Sequence, residues 1–224
     1  MSNIDYGRFV RVLTRCTEVA AQPGLPPIVS IVYKDRSEAP IAAFLTACKT
    51  TENTMAAVVK ESGEATAALD KLDAPYRVGR STVAAMLGNV ALPSTLKSQP
   101  TDTDKLNAIE RLLDMIDDHA GQPWADHLLQ GELGTQAPKT IKELTEAVAA
   151  NKAMSKAQLE RAAAYGPAYE AYLGFKRVVR DALGPTSKEY KRIHLRAEAS
   201  PKNGAEKPDA NDATPPADPV NPPA

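Results

Sequence analysis

Residues suited to chemistry crowd into one stretch, DDHAGQPWADHLLQGELG, residues 117–134, which holds the only tryptophan and two of the three histidines. Asp117, Asp118, His119, Asp126 and His127 are all types that ligate metals or move protons. Their spacing argues against a shared site. Ligands on one helix face stand three or four residues apart. Asp117 and His119 are two apart, and Asp126 and His127 are adjacent beyond a break. Only a tight reversal at Gly121-Gln122-Pro123 would bring His119 toward His127. Those two histidines are the weak metal candidates, and a metal-dependent enzyme at 117–127 is the third reading of function. A corner between two helices accounts for more of these residues. Gly121 suits a left-handed helix end, His119 a last helical turn and Pro123 a first one. Trp124 is then an apolar anchor beside Leu128 and Leu129.

Three further groups could act chemically. Glu110, Asp114 and Asp117 or Asp118 recur on one helical face, as paired carboxylates do in di-metal bundles. The Glu-x-x-His motif of such centres is absent, so a solvated face is expected. Tyr165, Tyr169 and Tyr172 share another face, with Lys176, Arg177 and Arg180 just beyond. Aromatic rings beside cations can hold a partner, and packing within the bundle, with the hydroxyls reaching water, is the other reading. Tyr165, Tyr169, Tyr172, Lys176 and Arg180 are the expected partner-binding set. Lys188, Lys191, Arg192 and Arg196 form a local basic excess, a weak nucleic-acid footprint.

Missing motifs narrow the field. The chain has no phosphate-binding glycine loop, no GxSxG elbow, no CxxC and no HExxH. No cofactor is expected, and no small-molecule ligand is evident. The 27 basic and 28 acidic residues leave a net charge of −1, so no global field draws nucleic acid or anionic lipid. The two cysteines, Cys16 and Cys48, fall on apolar stripes and are expected as buried free thiols. No signal-peptide core and no membrane-length apolar run occurs, and a cytoplasmic protein is the expectation.

The elements that would position these groups are helices. Aromatic residues make up 5% of the chain, and Ala, Leu, Glu and Lys dominate most segments. A first helix is expected over about 4–21, with Phe9, Leu13, Cys16 and Ala20 on one face. IVSIVYKDR is β-branched, yet has no second strand to pair with, so a short helix from Pro27 is preferred. Ile41, Cys48, Met55, Ser62 and Leu69 recur by seven, as do Phe44, Thr51, Val58, Ala65 and Leu72. That 3.5-residue period predicts one long helix over about 38–72, capped by Ser37. Asp73 and Pro75 should begin another helix that ends at Gly88-Asn89. Thr101 and Asp104 resemble a capping box for a helix over about 102–119 with Leu106, Ile109, Leu113 and Ile116 inward. A short helix follows at 123–131. Residues 138–183 read as helix in two pieces, with Ser155 and Gln158 capping after a break near Asn151 and a kink or split at Gly166-Pro167. Ser187 is the expected cap of a last short helix.

The expected fold is all-α: an antiparallel bundle of five to seven helices over residues 1–198, with a disordered Pro/Ala/Asp-rich tail over 199–224. The expected function is a non-enzymatic interaction or structural module that binds protein or itself. Nucleic-acid binding through 188–196 is the alternative.

Overall fold

The computed structural model describes residues 5–88 and 90–195. Within them the chain is all-α, with no strand. The described residues up to His194 form one compact unit. The expected tail over 199–224 lies outside the described residues.

Seven α-helices occur in the described residues: α1 Tyr6–Ala20, α2 Pro27–Val32, α3 Glu38–Leu87, α4 Asp102–Asp117, α5 Pro123–Gln130, α6 Glu132–Leu183 and α7 Lys188–Ile193. Two of them dominate. At 1.5 Å per residue, the 50 residues of α3 and the 52 of α6 each extend roughly 75 Å. They run antiparallel along one another. Four side-chain contacts fix the register: the Ser37 hydroxyl to the Ala171 carbonyl at 3.3 Å, Thr51 to Ala157 at 3.3 Å, Thr140 to Ala68 at 3.3 Å, and Thr54 to the Met154 sulfur at 3.4 Å. In every pair the residue numbers add to 208, so no slip accumulates along the seam. Alanine supplies the acceptor in three pairs because its short side chain lets a hydroxyl from the facing helix reach the backbone.

The heptad lines explain this pairing. Ile41, Cys48 and Leu69 of one line are buried, as are Phe44, Thr51, Ala65 and Leu72 of the other. Met55 breaks the pattern at 59% exposed. The reason is architectural. Large buried side chains gather at the two ends of the pair. At one end, Phe44 and Tyr172 pack against Phe9 of α1, and Phe175 packs against Tyr33. At the other, Leu72, Tyr76, Ile109, Leu112, Ile116 and Leu144 pack with α4 and α5. Between them the seam buries only small residues such as Thr51, Ala65, Ala147 and Ala157.

Four boundaries depart from the sequence expectation. Residues 27–87 are one continuous helical rod, because a wide π-turn at Tyr33–Ser37 joins α2 to α3. In a regular helix the ring of Pro40 would meet the Arg36 carbonyl, and the wider turn gives it room. Ser37 is therefore inside the rod and makes no cap, its hydroxyl having turned to Ala171. The rod also runs through Pro75. Leu72, Tyr76 and Val83 are fully buried on either side of it, and that burial outweighs the roughly 3 kcal/mol a proline costs a helix interior. The same holds in α6, which passes Pro138 and Pro167 without ending. Ser155 caps nothing; its hydroxyl donates back to the Asn151 carbonyl at 3.0 Å. Thr101 does cap α4, accepting from the Asp104 N–H at 3.1 Å, while its own hydroxyl donates to the Asp104 carboxylate at 2.6 Å. In α4 the inward face is centred on Ala108, Ile109, Leu112 and Ile116, with Leu106 and Leu113 half-buried.

A polar lacing binds the connection after α3 back to that helix. The Thr95 hydroxyl donates to Asp73 at 2.6 Å, Tyr76 to the Pro93 carbonyl at 3.2 Å, and the Arg80 Nε–H to the Leu92 carbonyl at 3.1 Å. Asp73 is thus a buried anchor inside α3, where sequence suggested a helix cap.

Candidate functional site: a furrow between the two long helices

The 117–134 stretch is a corner. Gly121 adopts φ 89°, a left-handed conformation that favours glycine, and Pro123 opens α5. The Asp126 carboxylate accepts the Gly121 N–H at 2.9 Å. His119 Nδ1 donates to the Met115 carbonyl at 3.0 Å, and its ring packs on Trp124 with centroids 5.6 Å apart. Asp117 and Asp118 are exposed, as are Glu110 and Asp114 of the carboxylate row. Among the described residues, the one group of three metal-competent side chains is Glu61, Glu143 and Glu146. Neither His119 nor His127 belongs to it.

The tyrosine stripe is the seat of α1. Phe9 makes edge contacts with Tyr165 and Tyr172, at centroid separations of 5.2 and 5.8 Å, and a tilted one with Tyr169 at 5.9 Å. Tyr172 is 1% exposed and its hydroxyl donates to the Ile193 carbonyl at 2.9 Å. It therefore serves the interior and offers no open surface. Tyr165 is half-buried and Tyr169 is 37% exposed. Lys176 lies over the Tyr172 and Tyr190 rings, and Arg180 pairs with Asp181 at 2.9 Å. What the sequence could not reveal is that the chain covers this stripe with its own first helix. In the basic segment, Arg192 bonds to Glu18 at 2.7 Å while Lys188 and Lys191 are exposed. Arg196 lies outside the described residues.

The cysteines are poor nucleophiles. Burial pushes the Cys16 thiol up to about 12. Burial also raises Cys48, with the Arg161 charge opposing it.

An open feature lies elsewhere. A trough of about 340 Å³ opens where α3, α5 and the start of α6 meet. Pro75, Val78 and Thr82 of α3 form one wall; Trp124, His127 and Leu128 of α5, with Glu132 and Leu133 of α6, form the other. Val78 is 61% exposed although apolar, whereas Leu133 is buried. Sequence reasoning had singled out Trp124 and His127 but assigned the trough no role, since its walls come from residues some 50 positions apart in the chain.

The trough shares its side of the α3–α6 pair with an acidic cluster. Glu61, Ala68, Pro75 and Thr82 are spaced by seven along α3, and Glu132, Lys139 and Glu146 by seven along α6. Antiparallel register sets Glu61 across from Glu146, Ala68 from Lys139 and Pro75 from Glu132, each pair adding to 207. Both outer pairs are seen in space. Glu61, Glu143 and Glu146 bring carboxylate oxygens within 4.8 Å of one another, and Pro75 and Glu132 line the trough. At the acidic end, Lys60 bonds to Glu61 at 2.9 Å and to Glu64 at 3.2 Å, and Lys142 stands 3.6 Å from both Glu143 and Glu146. Four carboxylates thus face two ammonium groups, an excess of two negative charges. Glu61 Oε2 is buried there with no hydrogen-bond donor. Buried carboxylate oxygens are ordinarily satisfied.

No protein-family model, no curated protein and no solved structure matches this chain. Among the described residues, no helix is long and apolar enough to cross a membrane.

Proposed function

We propose that the protein is a non-catalytic interaction module that takes an apolar segment of a partner protein into the trough between α3, α5 and α6. The observation that carries this reading is Val78: a 61% exposed valine on the wall of an open, largely apolar trough. Concave apolar surface with a half-buried aromatic anchor is where binding energy concentrates. The wall is rigid, because α3 is held along its length by α6, and a preformed surface binds without ordering cost. The tyrosine stripe offers less free surface, since Phe9 of α1 packs against Tyr165 and Tyr172.

The test is site-specific photo-crosslinking in the native host. A photoreactive residue at position 78 should give one discrete protein adduct, weakened by Trp124→Ala. The same residue at the 72% exposed Leu159 should give none. Equal adducts from both positions, or none from 78, would overturn the proposal.

A further inference from the structure

The trough does not stand alone, and the acidic cluster on the same side names the occupant. Resting on the reading of the trough as a protein-binding surface, we infer that the partner segment is a cationic amphipathic helix. Its apolar residues fill the trough, and its Lys or Arg side chains reach the Glu61–Glu143–Glu146 cluster. Three observations converge. The trough at Pro75 and the carboxylates at Glu61 stand 14 residues apart along α3, or about 21 Å at 1.5 Å per residue. That length suits a polypeptide and exceeds a small molecule. Both facing lines repeat every seven residues, the period on which a third helix packs into a two-helix groove. The far end carries two uncompensated negative charges. A guanidinium or ammonium group balances them. Glu132 adds a further carboxylate beside the trough. Lys139, midway, is the one cation on the two facing lines, and it favours an uncharged or acidic residue at the centre of the ligand. The ligand is thus specified: an apolar end and a basic end about two heptads apart.

Calorimetric titration of the full chain with two synthetic helical peptides tests this. Both carry leucines at one end; about 14 residues away, one carries arginines and the other glutamines. The arginine peptide should bind several-fold more tightly, with an advantage that shrinks as salt screens the charges. Glu61→Gln combined with Glu146→Gln should erase that advantage, about three- to tenfold, and leave the glutamine peptide unchanged. Val78→Glu should weaken both peptides. Equal affinity of the two peptides for the wild type, with Val78→Glu still disruptive, would overturn the cationic helix and leave the trough reading standing. Binding indifferent to Val78→Glu, or no binding by either peptide, would overturn both. Self-association of the wild type that Val78→Glu abolishes would assign this face to a second copy and overturn the inference.

Discussion

Gly134 offers a sharp test of the architecture, because two physical arguments give opposite signs there. It lies in the first turn of α6, where helix propensity alone favours alanine by up to about 1 kcal/mol. The structure forbids the gain. A Cβ built at Gly134 would fall 1.8 Å from the Leu129 carbonyl oxygen and 2.6 Å from its carbon. Both are backbone atoms of α5, so no rotamer change relieves the overlap. Ordinary contact begins near 3.4 Å, so the α5–α6 junction would have to open by about 1.6 Å. That movement would loosen Leu128 and Leu133, which are 8% and 3% exposed. Overpacking of this kind costs about 1–3 kcal/mol, and more when backbone must move. Gly134→Ala should therefore destabilise by about 2 kcal/mol or more, lowering Tm by roughly 4–8 °C for a unit of this size. Gly174, in the interior of the same helix, has nothing within 4 Å of its Cβ position. Gly174→Ala should stabilise by about 1 kcal/mol, raising Tm by roughly 2–4 °C. Thermal melts followed by circular dichroism compare the two directly. A Gly134→Ala protein that melts at or above the wild type would refute the tight α5–α6 corner, and with it one wall of the trough.

Three more predictions concern the interior. Neither thiol should react with an aromatic disulfide reagent at pH 8 until the chain unfolds. Burial carries Cys16 from 9.0 to about 12 and Tyr76 from 10.0 to about 12. Their protons stay on in the folded state and leave in the unfolded one, so stability is full below pH 9 and falls as pH rises toward 12. The slope should reach about 1.4 kcal/mol per pH unit for each group, read from urea midpoints across that range; a flat profile would contradict it. Asp73→Ala should cost about 1–3 kcal/mol, since it strands the Thr95 hydroxyl and removes the Arg77 contact at 3.3 Å. Limited proteolysis should then cut faster within residues 90–98, and unchanged cleavage would show that the lacing is unimportant.

Much of the fold was legible in the sequence because helices announce themselves locally. The heptad lines of residues 38–72, the cap at Thr101 and the Gly121-Pro123 corner each depend on neighbours a few positions away, and each stands in the structure, with Met55 the one exposed heptad position. The errors share one cause. Ser37, Pro75, Asn151, Ser155 and Pro167 looked like punctuation because their local chemistry weakens helices. The two long helices carry through them, since each break would have torn a seam held by burial on both sides.

The functional surface divides the same way. By itself, the sequence determined that the chain is helical and which side chains, Met55 apart, face inward along α3. Periodicity is a property of one strand of chain, so it can be read from one strand. Only the tertiary structure decided that α1 sits on the tyrosine stripe, that Val78 and Trp124 share a trough, and that Glu61 meets Glu143 and Glu146. Those juxtapositions depend on a register between residues about 50 to 150 positions apart. That register is set by the summed packing of two whole helices, which no single residue carries.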